Sequence, residues 1–173
     1  MEVTETQQML TPLAPVGTLH LVCGKIGSGK STLTCQLAAK SATVRISEDE
    51  WLAHLYPDEI HALTDYVRCS SRLRDAMAEH VAALLVAGTS VVLDFPSNTV
   101  ATRGWARGIF EQAGADHCLH YLDTPEDVCK ARLRARNLSG AHPFETTDEE
   151  FAQITRHFVA PTTAEGFHVV RYD

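Results

Sequence analysis

Residues 24–31 read Gly24-Lys25-Ile26-Gly27-Ser28-Gly29-Lys30-Ser31, a G-x-x-x-x-G-K-S pattern. A short apolar run at 18–23 precedes it. The helix-forming Thr32-Leu33-Thr34-Cys35-Gln36-Leu37-Ala38-Ala39-Lys40 follows. A strand, a glycine-rich turn and a helix in that order make the pattern a P-loop. The constraint on the fold is strong, because a continuous apolar strand feeding such a loop belongs inside a parallel sheet. Glycines let backbone N–H groups turn inward around phosphate oxygens, and the helix N-terminus adds partial positive charge. In this geometry Lys30 reaches the β- and γ-phosphates and the Ser31 hydroxyl holds Mg²⁺. Gly24, Lys25, Ile26, Gly27, Ser28, Gly29, Lys30, Ser31 and Thr32 are therefore the candidate nucleotide contacts.

The 173 residues suit one domain with a real core. The expected division is a loose arm over 1–15 and a single domain over 16–173. A net charge of −7 argues against broad binding of a nucleic-acid backbone, though it leaves room for a local basic groove. The five cysteines, Cys23, Cys35, Cys69, Cys118 and Cys129, form no C-x-x-C, so buried free thiols in a reducing compartment are expected. The nine histidines show no H-E-x-x-H or comparable ligand spacing, which argues against structural zinc. The first ten residues lack the layout of a signal peptide, and no apolar run reaches membrane-spanning length. A cytoplasmic protein with no membrane partner is the expectation.

Along the chain, strands are expected at 18–23, 43–47, 90–94, 117–123 and 167–172. Helices are expected after the P-loop to about 40, and at 48–55, 64–87, 99–113, 124–136 and 147–158. Ser47 with Glu50, and Thr147 with Glu150, have the form of capping boxes. Thr124-Pro125-Glu126-Asp127 reads as a cap, a first-position proline and first-turn acids. Leu73, Met77, Val81 and Leu85 recur every four residues, a buried stripe. Alternating strands and helices indicate an α/β fold with a mostly parallel sheet.

In such a sheet ligands bind beyond the carboxyl ends of the strands. Strand two delivers Glu48-Asp49-Glu50, and strand three delivers Asp94 and then Asn98. Asp49 is the candidate general base, or a first-turn acid that only favours the helix dipole; Glu48 is a weaker rival on the same turn. Asp94 is the candidate metal-associated carboxylate, or a turn residue. Asn98 and Arg103 are candidate contacts to acceptor or phosphate, with Asn98 alternatively capping the next helix. Arg132 and Arg136, four residues apart, share a helix face and could close over a nucleotide, or form a solvated basic face. Arg68, Arg72 and Arg74 lie where an acceptor would dock in a kinase, or simply form the exposed side of a helix.

Taken in order, residues 24–31, Asp49, Asp94 with Asn98 and Arg103, and Arg132 with Arg136 resemble the small P-loop kinases of the AAA_33 type. These are related to polynucleotide 5′-hydroxyl kinases, zeta-type toxin kinases and chloramphenicol phosphotransferase. The resemblance runs from about residue 18 to the C-terminus. It implies a three-layer P-loop NTPase fold, a five-stranded parallel sheet in order 2-3-1-4-5 and a helical lid after strand four. It also implies ATP with Mg²⁺, Asp49 as general base, and Arg132 and Arg136 as lid arginines. Two features depart from the polynucleotide kinases. Leu52 stands where they carry an acceptor-binding arginine, and Asp94-Phe95-Pro96-Ser97-Asn98 has two residues more than their D-T-N. Both departures, with the acidic net charge, count against a nucleic-acid acceptor. The expected activity is transfer of the ATP γ-phosphate to a hydroxyl of a small-molecule or nucleoside-like acceptor. The alternative is a nucleotide-binding switch or weak ATPase. No N-K-x-D guanine signature occurs, which favours ATP over GTP.

Overall fold

The structure is a computed structural model and describes residues 15–139 and 146–173. The arm expected at 1–15 lies almost wholly outside the described residues, as does most of the loop that precedes residue 146. The strands are β1 (Thr18–Cys23), β2 (Thr43–Ser47), β3 (Ser90–Pro96), β4 (Asp116–Leu122) and β5 (Val169–Tyr172). The helices are α1 (Lys30–Ala38), α2 (Glu48–Leu55), α3 (Leu63–Val86), α4 (Val100–Ala113), α5 (Glu126–Ser139) and α6 (Asp148–Thr155). All neighbouring strands are parallel, in the order β2-β3-β1-β4-β5. This is the expected order, and it leaves β1 and its P-loop at the centre of the sheet.

The main core lies between one sheet face and the pair α3 and α4. Leu73, Met77, Val81 and Leu85 of α3 are buried, with Ala106, Ile109 and Phe110 of α4, against Leu19, Leu21, Val91, Leu93 and Leu119 of the strands. Each such side chain contributes roughly 1.5–3 kcal/mol by leaving water. A smaller cluster of Cys129, Leu133 and Phe151 joins α5 to α6 and carries Ile26 of the P-loop on top. Four of the five cysteines are buried and free as expected, whereas Cys35 is exposed on α1. No described helix is long and apolar enough to cross a membrane.

Several boundaries shift for identifiable reasons. β3 runs on through Phe95 and Pro96, where the sequence suggested a loop. Leu21 pairs with Leu93, but the next residue, Val22, pairs with Pro96. The irregularity takes up Asp94 and Phe95, and the Ser97 amide then donates to the Val22 carbonyl at 3.0 Å. The two extra residues are thereby absorbed in the strand, as a bulge absorbs surplus chain. Ser47 caps α2 by accepting from the Glu50 amide, but the box is not reciprocal, because Glu50 turns its carboxylate to Arg45 at 2.9 Å. The box at Thr147 and Glu150 is complete. Thr99, with Thr102, caps α4, so Asn98 is released from that alternative role. The last helix ends at Thr155, a turn before the expected limit.

Candidate active site

The P-loop leaves the end of β1 and is held from three sides. Gly24, at φ 158°, sits so close to its surroundings that a Cβ there would lie 2.6 Å from Ser28 Oγ and 2.8 Å from the Leu122 carbonyl. Gly27, at φ 78°, is left-handed and packs on α5, where a Cβ would come 2.5 Å from the Cys129 carbonyl. Asn98 fixes the start of the loop: its Oδ1 accepts from the Gly24 amide at 2.9 Å. Thr124, expected only as a cap, donates its hydroxyl to the Ser28 carbonyl at 3.2 Å. The loop is thus preshaped by residues from β1, β3 and the β4–α5 turn.

Lys30 lies at the first turn of α1 and bends back into the loop, where Nζ donates to the carbonyls of Gly24 at 2.7 Å and Lys25 at 2.8 Å. Burial lowers its pKa to about 8, against the opposing pull of Cys23, Asp94, Cys129 and Asp49. That set brings Lys30, Asp94 and Asp49 within electrostatic reach of one another, three residues delivered by different strand ends. Ser31 is exposed beside Lys30 at the start of α1. Its hydroxyl and the Asp94 carboxylate are hard oxygen donors, a set that fits Mg²⁺.

Asp94 is oriented by a residue that sequence reasoning missed. Arg45 of β2 donates to Asp94 Oδ2 at 2.8 Å, to Glu50 at 2.9 Å and to Thr34 Oγ1 at 3.2 Å. Parallel pairing sets Ser47 opposite Asp94, so Arg45 lies two residues back, on the same face. A lone arginine in a short apolar strand was the available signal.

Asp49 is partly buried in the first turn of α2, with its Oδ1 3.4 Å from the Tyr66 hydroxyl of α3, the longer branch of a shared O–H. The same hydroxyl donates to Glu48 Oε2 at 2.7 Å. Glu48 is only 1% exposed and also accepts from Ser70 Oγ and from Arg74 Nη1 at 3.5 Å. Burial raises its pKa, with Ser70, Tyr66 and Arg74 opposing. Glu48 therefore ties α2 to α3. Arg74 is its counter-ion, Arg68 pairs with Asp65 at 3.4 Å on the surface, and Arg72 is exposed. Leu52 is fully buried and presents nothing to a ligand.

Arg103 requires a correction. Its side chain is 0% exposed and its guanidinium is wholly used inside the protein. It donates to both Glu165 oxygens at 2.6 and 2.9 Å and to the carbonyls of Ser97 and Val159 at 3.1 and 2.9 Å. It pins the segment before β5 onto α4 and cannot reach a ligand. The sequence placed it near strand three correctly, but helical phase alone did not show that it points into the protein.

From α5, Arg132 reaches over the P-loop and Nη1 donates to the Ser28 carbonyl at 3.1 Å. Arg136, one turn later, has Nε and Nη2 buried without a hydrogen-bond partner among the described residues. Burial lowers its pKa and the Asp49 carboxylate opposes that, so the two side chains sense each other across the site. Buried guanidinium donors are normally paired, so these nitrogens are suited to an incoming anion. Arg134 instead pairs with Asp148 at 2.6 Å, outside the site. A groove of about 370 Å³ runs from Ser28, Gly29 and Arg132 along Thr32, Leu33 and Gln36 of α1 to Leu122 and Tyr172.

An AAA domain family model, AAA_33, matches residues 19–161. No match was found among curated proteins. Solved structures share the fold at low identity. A protein from Chloroflexus aurantiacus superposes with a TM-score of 0.74 at 17% identity, over 92% of this chain and 86% of that one. The Mycobacterium tuberculosis APS kinase CysC, solved in complex with AMPPNP and APS, gives 0.61 at 22% identity, over 92% and 90%. Chaetomium thermophilum Kti12, in complex with ADP-AlF3, gives 0.64 at 16% identity, over 90% and 89%.

Proposed function

Since the chain belongs to the AAA_33 family of P-loop proteins, we propose that it is an ATP-dependent kinase that transfers the γ-phosphate to a hydroxyl of a small-molecule or nucleoside-like acceptor. The observation that carries this reading is Arg136. Two of its guanidinium nitrogens are buried with no hydrogen-bond partner among the described residues, and it lies within electrostatic reach of Asp49, beside a loop already spanned by Arg132. A switch that only holds a nucleotide has no need of a carboxylate and an arginine placed within electrostatic reach of each other at this end of the loop. APS kinase, a structural relative, was solved with AMPPNP and APS together, a nucleotide beside a small-molecule ligand.

In this reading the P-loop amides and the α1 N-terminus receive the β- and γ-phosphates. Lys30 exchanges its two loop carbonyls for phosphate oxygens. Mg²⁺, held by Ser31 and Asp94, neutralises charge on the phosphate chain when bound. Arg45 keeps the Asp94 carboxylate aimed at the loop. Asp49 accepts the acceptor hydroxyl proton. Arg132 and Arg136 bind the oxygens on which charge gathers during transfer. The groove along α1 toward Tyr172 would take the base-bearing end of the nucleotide.

The test is transfer itself. The protein is incubated with Mg²⁺, ATP labelled at the γ-phosphate and a pool of hydroxyl-bearing small metabolites. Label should move to an organic acceptor. Label released only as inorganic phosphate, at a rate no acceptor changes, would instead establish a hydrolase or switch.

A further inference from the structure

The sheet face that carries α1 is covered unevenly. α1 lies over β3 and β2, while toward β4 and β5 the same face holds polar side chains. His20 of β1 stands in register with Cys118 of β4. Strand side chains alternate, so Cys118 and His120 share a face, and His20 joins them. One nitrogen from each histidine and the Cys118 sulfur lie within 4.8 Å of one another. His120 is 5% exposed and Cys118 9%, whereas His20 is partly open to solvent.

The two rings meet through nitrogens: His20 Nδ1 lies 3.1 Å from His120 Nε2. The other His120 nitrogen, Nδ1, lies 2.9 Å from the Tyr172 hydroxyl. When Nδ1–H donates to the tyrosine oxygen, Nε2 is left as an acceptor, which the His20 Nδ1–H tautomer fills in the metal-free protein and a cation shared by both nitrogens would fill on binding. Two imidazoles on one tetrahedral ion of the zinc type stand about 3.3 Å apart. The observed separation is close to that. Tyr172 holds the place of the outer-shell partner that fixes the tautomer of a metal-bound histidine.

We propose that His20, Cys118 and His120 form a binding site for one divalent cation of the zinc class, with Tyr172 as the residue that positions His120. Two imidazoles and a thiolate select such an ion over Mg²⁺, whose hard donors lie at the P-loop. Binding releases the Cys118 thiol proton to solvent, and water completes the coordination through the open side at His20. Because Tyr172 also lines the far end of the groove along α1, the ion would anchor that wall.

Chelator-stripped full-length protein titrated with Co²⁺ alone tests the site. One equivalent should give tetrahedral d–d bands and a thiolate-to-cobalt charge-transfer band, both bleached by Zn²⁺. Cys118→Ser should abolish the charge-transfer band, and Cys35→Ser, at the exposed cysteine, should keep it. Tyr172→Phe should retain the spectrum and weaken affinity roughly 10–100-fold. Absence of the charge-transfer band in the wild type, or its survival in Cys118→Ser, overturns the proposal. Should Cys118→Ser fail to fold, His20→Gln provides the decision: Co²⁺ affinity must fall by at least about tenfold, and unchanged affinity overturns the site.

Discussion

Raising the pH should separate the two roles of Lys30, in nucleotide binding and in stability. With a pKa of about 8 in the folded chain against 10.5 for the free side chain, the folded state gives up this proton between those values while the unfolded state keeps it. Stability contributed through Lys30 therefore rises with pH across that window. Below pH 8 the desolvated ammonium lowers stability by about 3 kcal/mol relative to the neutral amine, a net figure that already includes its two carbonyl hydrogen bonds. Phosphate binding runs the other way, because it needs the charged form. If only the ammonium binds phosphate, affinity for a non-hydrolysable ATP analogue should fall about tenfold from pH 7 to pH 9. Calorimetry in two buffers of different ionisation enthalpy should show proton uptake on binding near pH 8.5. Lys30→Met should bind the analogue poorly at both pH values while unfolding in urea at a midpoint no lower than wild type at pH 7. Affinity constant from pH 7 to 9 without proton uptake would refute the buried-ammonium account.

Gly27→Ala should destabilise the protein by about 2 kcal/mol or more in urea, since the new Cβ needs a left-handed φ and meets the Cys129 carbonyl at 2.5 Å. Arg103→Met should cost about 3–5 kcal/mol by leaving Glu165 without its partner, and the fraction that remains folded should keep its nucleotide affinity. Arg136→Ala should lower phosphoryl transfer about 100-fold or more with a small effect on stability, measured by initial rates and thermal unfolding. A lost fold instead of a lost rate would place Arg136 in the core.

Nearly all elements were legible because their signals are local. The apolar run into the P-loop, the four-residue stripe on α3 and the cap at Thr147 each act within a few residues. The resemblance to P-loop kinases supplied the order of the strands, which local periodicity does not contain. Side-chain direction was the harder part. Arg103 and Arg136 look equally available in sequence, yet one is spent on Glu165 and the other faces the site. The difference arises from the segment before β5, distant in sequence, that folds against α4. Arg45 and the His20, Cys118 and His120 group were missed for a related reason. Parallel pairing assembles them across strands far apart in the chain, so no contiguous motif announces them. The two extra residues before Asn98 looked like a departure. The register shift in β3 disposes of them and returns Asn98 to the P-loop amide.

The most direct test of phosphoryl transfer compares wild type with Asp49→Asn, a nearly isosteric change that removes the base and leaves the P-loop untouched. Transfer of labelled γ-phosphate to the acceptor and affinity for the ATP analogue are measured on the same preparations. The account predicts a fall in transfer of about 100-fold or more, with analogue affinity within about threefold of wild type. Asp49→Asn turning over at the wild-type rate would contradict it.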